Sequence, residues 1–153
     1  MIVEIENGDI FSTKCQIVIN PTNSVGIMGG GLAKTFITRY PKECAEYNEY
    51  TAREYSVINT PKLLSPFITP VQSDKQEFTH ICHLATKIVP WKPSKLEYVD
   101  FGLIRLRKMV VDQTIAMPAL GCGLGGLQYD DVIKLIRKYF EDYPSLVEVY
   151  LPL

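Results

Sequence analysis

The sequence predicts an α/β sandwich: a largely parallel sheet with helices covering both faces. Three observations predict it. Short β-branched apolar runs recur along the chain, amphipathic helical patterns separate them, and glycine-rich turns stand where strand gives way to helix. Strands joined through helices pair in parallel, because a right-handed crossover packs the helix back onto the sheet.

The elements follow in order. "IVEI" (2–5) and "QIVIN" (16–20) read as strands, and the glycine-rich turn after the second opens a helix at "LAKTFITRY" (32–40). Pro41 starts another, "KECAEYNEYTAREY". Residues 59–75 carry Pro61, Pro66 and Pro70, which suits an irregular hairpin at the sheet edge. "HICHLAT" (80–86) is a strand, and from Tyr98 a helix places Val99, Leu103, Leu106 and Val110 on one face. "TIAMPAL" (114–120) is the next strand. In "YDDVIKLIRKYFEDY" (129–143) the stripe of Val132, Leu135, Ile136, Tyr139 and Phe140 faces the core, while Asp130 and Asp131 sit at the positive end of the helix dipole. The run "LVEVYLPL" (146–153) is the last strand.

A chain of 153 residues suits one domain, and 46% apolar with 22% charged residues is globular composition. A net charge of −1 argues against a large duplex-binding surface and leaves room for a local basic strip. The start "MIVEIENGDIF" lacks a signal-peptide pattern, and no run approaches a membrane span, so a cytoplasmic monomer is expected. Cys15, Cys44, Cys82 and Cys122 are scattered without a CxxC pair and read as reduced, mostly buried thiols. Strand alternation places His83 on the face opposite His80 and Cys82, so these three do not ligate one metal; no metal and no cofactor are expected.

Two glycine loops carry the functional signal. In "NPTNSVGIMGGGLAKTF" (20–36), Gly26 and Gly31 have P-loop spacing, but Leu32 stands where the lysine is required. Lys34 comes two positions late, which turns its side chain by about 200° around a helix. The second loop, "GCGLGGL" (121–127), satisfies GxGxxG, yet the strand that should supply a ribose-binding acid reads "VEVYLPL". Neither a nucleotide triphosphatase nor a hydride-transfer enzyme fits. What the loops share is exposed backbone N–H groups at the start of a helix, a cradle for phosphate; the alternative is two tight turns that need positive φ. Two such loops in one sheet favour a diphosphate clamped between them.

The runs "NGDIF", "VINPTNSVGIMGGGLAKTF", "ATK", "PSKLEYVDFGL" and "PALGCGLGGLQYDDV", in this order, resemble the macrodomain, an ADP-ribose-binding α/β/α fold. The resemblance is to the branch containing the DNA-directed ADP-ribosyl glycohydrolase antitoxins and the terminal ADP-ribose protein glycohydrolase. It implies a three-layer domain over residues 1–153, with a mixed, largely parallel sheet. Asp9 would accept from the adenine amino group beside Ile10, although a plain turn aspartate also fits. Asn20 and Asn23 would border the distal ribose, and Gly29, Gly30 and Gly31 would pass close to it and to the diphosphate. Gly121, Cys122, Gly123, Leu124 and Gly125 would wrap the phosphates from the other side. Tyr150 would pack at the adenine end, or serve as a core or edge tyrosine.

The resemblance also marks Lys87 of "HLATK" as the catalytic residue. Cleavage at the anomeric carbon builds oxocarbenium character, which an adjacent ammonium does not stabilise. A neutral amine, favoured by burial or positive potential, could attack or support the opened sugar; a protonated one could donate to a ribose hydroxyl or to the leaving group. The chain departs from the branch at three places. The aspartate that assists the lysine in the protein-directed relative falls at Gly125, the antitoxins' first-loop lysine falls at Gly30, and "HLAT" replaces their Asn-Phe-Pro-Thr type of run. The lack of the aspartate favours the DNA-directed type, whose further toxin-binding domain has no counterpart in this sequence. Trp91, Lys92 and Lys95 suit a single strand of DNA; the alternative, which the residue types alone favour, is an ordinary solvated loop with Trp91 capping the core. The resemblance implies removal of ADP-ribose from thymine in single-stranded DNA or from a protein side chain. The alternatives are an ADP-ribose 1″-phosphate phosphatase and a non-catalytic ADP-ribose reader.

Overall fold

The computed structural model describes residues 1–152, and Leu153, the end of the last expected strand, lies outside them. A six-stranded sheet runs in the order β1-β6-β5-β2-β4-β3. Its strands are β1 (Ile2–Ile5), β2 (Ile17–Asn23), β3 (Phe67–Pro70), β4 (His80–Lys87), β5 (Ile115–Pro118) and β6 (Val147–Tyr150). All neighbours are parallel except β3, which pairs antiparallel with β4 at the edge, as the proline-rich segment suggested. The helices are α1 (Gly31–Arg39), α2 (Pro41–Ile58), α3 (Leu96–Met109) and α4 (Tyr129–Phe140).

Strand alternation sorts side chains into two cores. Ile17 and Ile19 of β2 join Leu84, Leu103, Met117, Ile136 and Phe140 on the side covered by α3 and α4. Val18 joins Ile81, Ala116, Phe36, Tyr40 and Tyr47 on the side covered by α1 and α2. In α4 the fully buried positions are Val132, Ile136 and Phe140, while Leu135 and Tyr139 pack at the margin of the stripe. Three expected elements are shorter than the apolar pattern. β5 stops at Pro118, β6 stops at Tyr150 before Pro152, and α4 ends at Phe140. A proline has no N–H to give a ladder, which limits both strands. Tyr143 leaves the helix and donates its hydroxyl to Gln113 O at 2.7 Å.

The four central strands end on one side of the sheet, at Asn23, Lys87, Pro118 and Tyr150. Carboxyl ends of parallel strands are where open α/β sheets bind ligands, since the loops leaving them diverge around a crevice. β2 and β4 also slip register there, Thr22 facing Ala85 and Asn23 facing Lys87. This bulge leaves Thr86 out of the ladder and re-aims the strand end that carries Lys87.

Candidate functional site

A cleft of about 780 Å³ lies across these strand ends, between the two glycine loops. The first loop is shaped by Asn23, whose Oδ1 accepts from the N–H groups of Val25 and Ile27 and whose Nδ2 donates to Ile27 O at 2.7 Å. Tyr47 fixes the same residue from below by donating to its carbonyl at 2.8 Å. Asn23 thus borders the cleft with its amide already committed to the loop. Gly30 precedes α1 without any side-chain cap, and the residues that open the helix, Gly31, Leu32 and Ala33, line the cleft.

The second loop is closed by Leu127 N–H donating to Gly121 O at 2.9 Å and by Gly126 N–H donating to Gly123 O at 3.2 Å. Among the described residues, the amides of Gly29 and Gly30 in one loop and of Gly123, Leu124 and Gly125 in the other donate to no backbone or side-chain acceptor. The loops meet over the groove: Leu124, 74% exposed, stands 3.1 Å from where a Cβ on Gly30 would lie. Gly31 and Gly121 need glycine for their positive φ of 58° and 74°. Gly29 and Gly123 have no such need, and a Cβ on either would meet no protein atom within 4 Å. Nothing inside the protein requires these two to be glycine.

Lys87 ends β4 at the wall of the cleft, half-buried, with Nζ donating to Pro90 O at 3.4 Å. Among the described residues that line the cleft it is the only one with a formal charge. Neither an aspartate nor a glutamate reaches it, and the Cys122 thiol, which does line it, is pushed up by burial and is no activated nucleophile. At the opposite end stand Ile10, Gly8, Tyr150 and Leu151. Glu148 accepts from Tyr150 Oη at 3.0 Å and from Thr13 Oγ1, which fixes the tyrosine ring; burial above all, with the hydrogen bond to Glu148 and that carboxylate's charge, pushes the phenol up to about 12 against the lowering effect of Thr13.

Two expected site residues are not among those that line the cleft. Asp9 is a turn aspartate: Oδ1 accepts from Phe11 N–H at 3.0 Å and Oδ2 from Ser12 Oγ at 3.2 Å, capping the short 3₁₀ turn at Ile10–Ser12. Asn20 is fully buried beneath the first loop. Its Nδ2 donates to His83 Nδ1 at 3.1 Å, so the imidazole proton sits on Nε2, which lies 3.1 Å from Thr69 Oγ1; that hydroxyl bonds to Ile81 O. Burial holds His83 neutral, down to about 3, and its ring stacks on Tyr47.

Sequence reasoning missed Thr22 and Thr86, which line the cleft from β2 and β4. Thr22 is 5% exposed and its Oγ1 has no partner, while Thr86 Oγ1 accepts from Ser94. Threonine is a common strand residue, so only the strand-end positions beside the glycine loop and Lys87 could have singled them out. Trp91 does not cap the core: it is 73% exposed, in the loop leaving Lys87.

The three-layer α/β/α architecture, with paired glycine loops over the strand ends and, among the described residues, a single cationic side chain lining the cleft between them, defines the class of domain. The chain belongs to the Macro domain family, whose model matches residues 19–136. It is 32% identical over 155 residues to a DNA ADP-ribosyl glycohydrolase of Mycobacterium tuberculosis, a match covering 95% of this chain and 41% of that protein. The chain thus spans about two-fifths of the length of that relative. It is 26% identical to an ADP-ribose 1″-phosphate phosphatase of Lodderomyces elongisporus over 90% of this chain and 92% of that one. The solved macrodomain of Mycobacterium tuberculosis DarG superposes with a TM-score of 0.87 at 30% identity, covering 100% of this chain and 98% of that chain. Thermosipho africanus DarTG in complex with ADP-ribose superposes with a TM-score of 0.83 at 25% identity, covering 99% of this chain and 42% of that one. Among the described residues no helix is long and apolar enough to cross a membrane.

Proposed function

We propose that the protein is an ADP-ribosyl glycohydrolase that releases ADP-ribose from thymine in single-stranded DNA, with Lys87 as its catalytic residue. The observation that carries this reading is that Lys87 is the only formally charged side chain among the described residues lining the cleft. Glycosidases of the two-carboxylate type need an acid and a base flanking the bond, and no carboxylate is at hand. Attack at the anomeric carbon, or proton donation to a ribose hydroxyl or to the leaving thymine, therefore falls to the amine, and water supplies the oxygen that replaces the base.

In this reading the adenine lies at the Ile10 and Tyr150 end, and the diphosphate takes hydrogen bonds from the free amides of both glycine loops. The dianion is held by amides and by the positive end of α1 rather than by arginine, which leaves Lys87 for chemistry. The glycines at 29 and 123 give the phosphates and the distal ribose close access to the backbone. The distal ribose sits over Thr22 and Thr86, and the unpartnered Thr22 hydroxyl gains a hydroxyl partner. The thymine leaves past Lys87 and Pro90.

The test is release of ADP-ribose from a single-stranded oligonucleotide modified on thymine, run beside ADP-ribose 1″-phosphate. Turnover of the oligonucleotide supports the reading. Turnover of the phosphate ester alone assigns the phosphatase, and binding of ADP-ribose with turnover of neither assigns a reader.

A further inference from the structure

We infer that the depression beside the main cleft, formed by Pro61, Ile88, Trp91, Lys92, Lys95 and Tyr98, binds the nucleotide next to the modified base, on a single strand of nucleic acid. The inference rests on the proposed reading for which base is modified, and not for the chemistry of the depression itself.

The depression holds about 380 Å³ and is a separate space from the cleft. The loop leaving Lys87 joins them: Lys87 and Pro90 line the cleft, while Ile88 and Trp91 line the depression. The loop is tied down at both ends. Ser24 N–H donates to the carbonyls of Lys87 and Ile88 at 3.1 Å, and Lys92 N–H closes a turn onto Val89 O at 3.3 Å. A chain of nucleotides whose modified base leaves the cleft past Pro90 meets Trp91 next.

The side chains suit that ligand. Trp91 is 73% exposed, so its indole face is not consumed by packing. Lys92 and Lys95 bring positive charge to the same space, and Lys95 Nζ lies 5.7 Å from the Tyr98 ring centre. The opposing charge is Glu97, 3.9 Å from Lys95 and 72% exposed, which leaves a net positive rim. An aromatic face with cations beside it is how proteins hold single strands without reading sequence: bases stack and phosphates lose their counterions. A duplex presents no free base face to stack.

Trp91 is the only tryptophan of the chain, so its fluorescence reports directly on occupancy. The experiment titrates the full chain with unmodified oligothymidylate, with the matching duplex and with oligouridylate, at several salt concentrations. Saturable quenching by oligothymidylate is expected, at least tenfold weaker with duplex, with a log–log salt slope near −1.4 for two phosphates neutralised on a single strand, at about 0.7 each. Lys92→Ala/Lys95→Ala should remove that slope. Trp91→Ala should weaken oligothymidylate binding about tenfold by anisotropy of a labelled strand, while calorimetric binding of ADP-ribose, which shows the variant is folded, stays as in wild type. No quenching at low salt, equal quenching by duplex, or wild-type strand binding in both variants would overturn the inference. Tighter binding of oligouridylate than of oligothymidylate would overturn its DNA form. Since the strands carry no ADP-ribose, these outcomes stand apart from success or failure of the glycohydrolase test.

Discussion

The Ser94 hydroxyl occupies the space that the first side-chain carbon of any residue at position 125 would need. A Cβ on Gly125 would also stand 2.8 Å from Ser94 Cβ and 2.5 Å from the Gly121 carbonyl, and Ser94 N–H holds Gly125 O at 3.1 Å. The aspartate that assists the lysine in the protein-directed relative therefore has no room in this loop as it is folded.

Gly125→Asp should consequently fail to add a catalytic carboxylate. The expected outcome is a loss of about 1–3 kcal/mol of stability from overpacking, with ADP-ribose binding weakened as the loop is displaced. Ser94→Gly should not rescue it, because the Gly121 carbonyl still blocks the site. Chemical denaturation and calorimetry with ADP-ribose check both statements.

Gly29→Ala and Gly123→Ala should behave in the opposite way. Neither Cβ meets a protein atom within 4 Å, so stability should stay within about 0.5 kcal/mol of wild type. If the ligand passes over these residues, ADP-ribose affinity should fall about tenfold, equivalent to 1.4 kcal/mol. Unchanged affinity would place the diphosphate elsewhere.

His83 sets a pH dependence of stability. Burial depresses its folded pKa to about 3 from an unfolded value near 6.5, so below pH 6.5 the unfolded chain takes up a proton that the folded one refuses. This contribution is complete above pH 6.5 and is lost as pH falls towards 3, at about 1.4 kcal/mol per pH unit in the middle of that window. His83→Gln should be less stable at pH 7.5, because Asn20 and Thr69 lose their shared partner, and should show a shallower fall between pH 6 and 5. Urea unfolding at several pH values measures the slopes.

Local pattern made most of the fold legible. β-branched runs marked the five parallel strands, Pro41 marked the start of α2, and the stripe through Val132, Ile136 and Phe140 marked α4. The glycine loops were legible too, since a strand-to-helix turn rich in glycine has a recognisable composition. What sequence did not reveal depends on partners far along the chain. Asn20 is turned into the core because His83, 63 residues away, offers it an acceptor. Asp9 is the opposite case: its partners, the Phe11 amide and the Ser12 hydroxyl, are local, and they match the turn aspartate that its sequence context also offered. Trp91 stands in the loop where β4 gives way to the surface and stays 73% exposed, so a large aromatic that could have capped the core does not.

The most direct measurement is release of ADP-ribose from the thymine-modified single strand by wild type, Lys87→Ala and Lys87→Arg, with ADP-ribose affinity measured on all three. Release by wild type is expected, with a loss of at least a hundredfold in Lys87→Ala and affinity retained. Lys87→Arg, which can donate but cannot attack, then separates the two roles of the amine: recovery assigns donation and continued loss assigns attack. Wild-type release by a folded, ADP-ribose-binding Lys87→Ala protein would show that Lys87 is not the catalytic group.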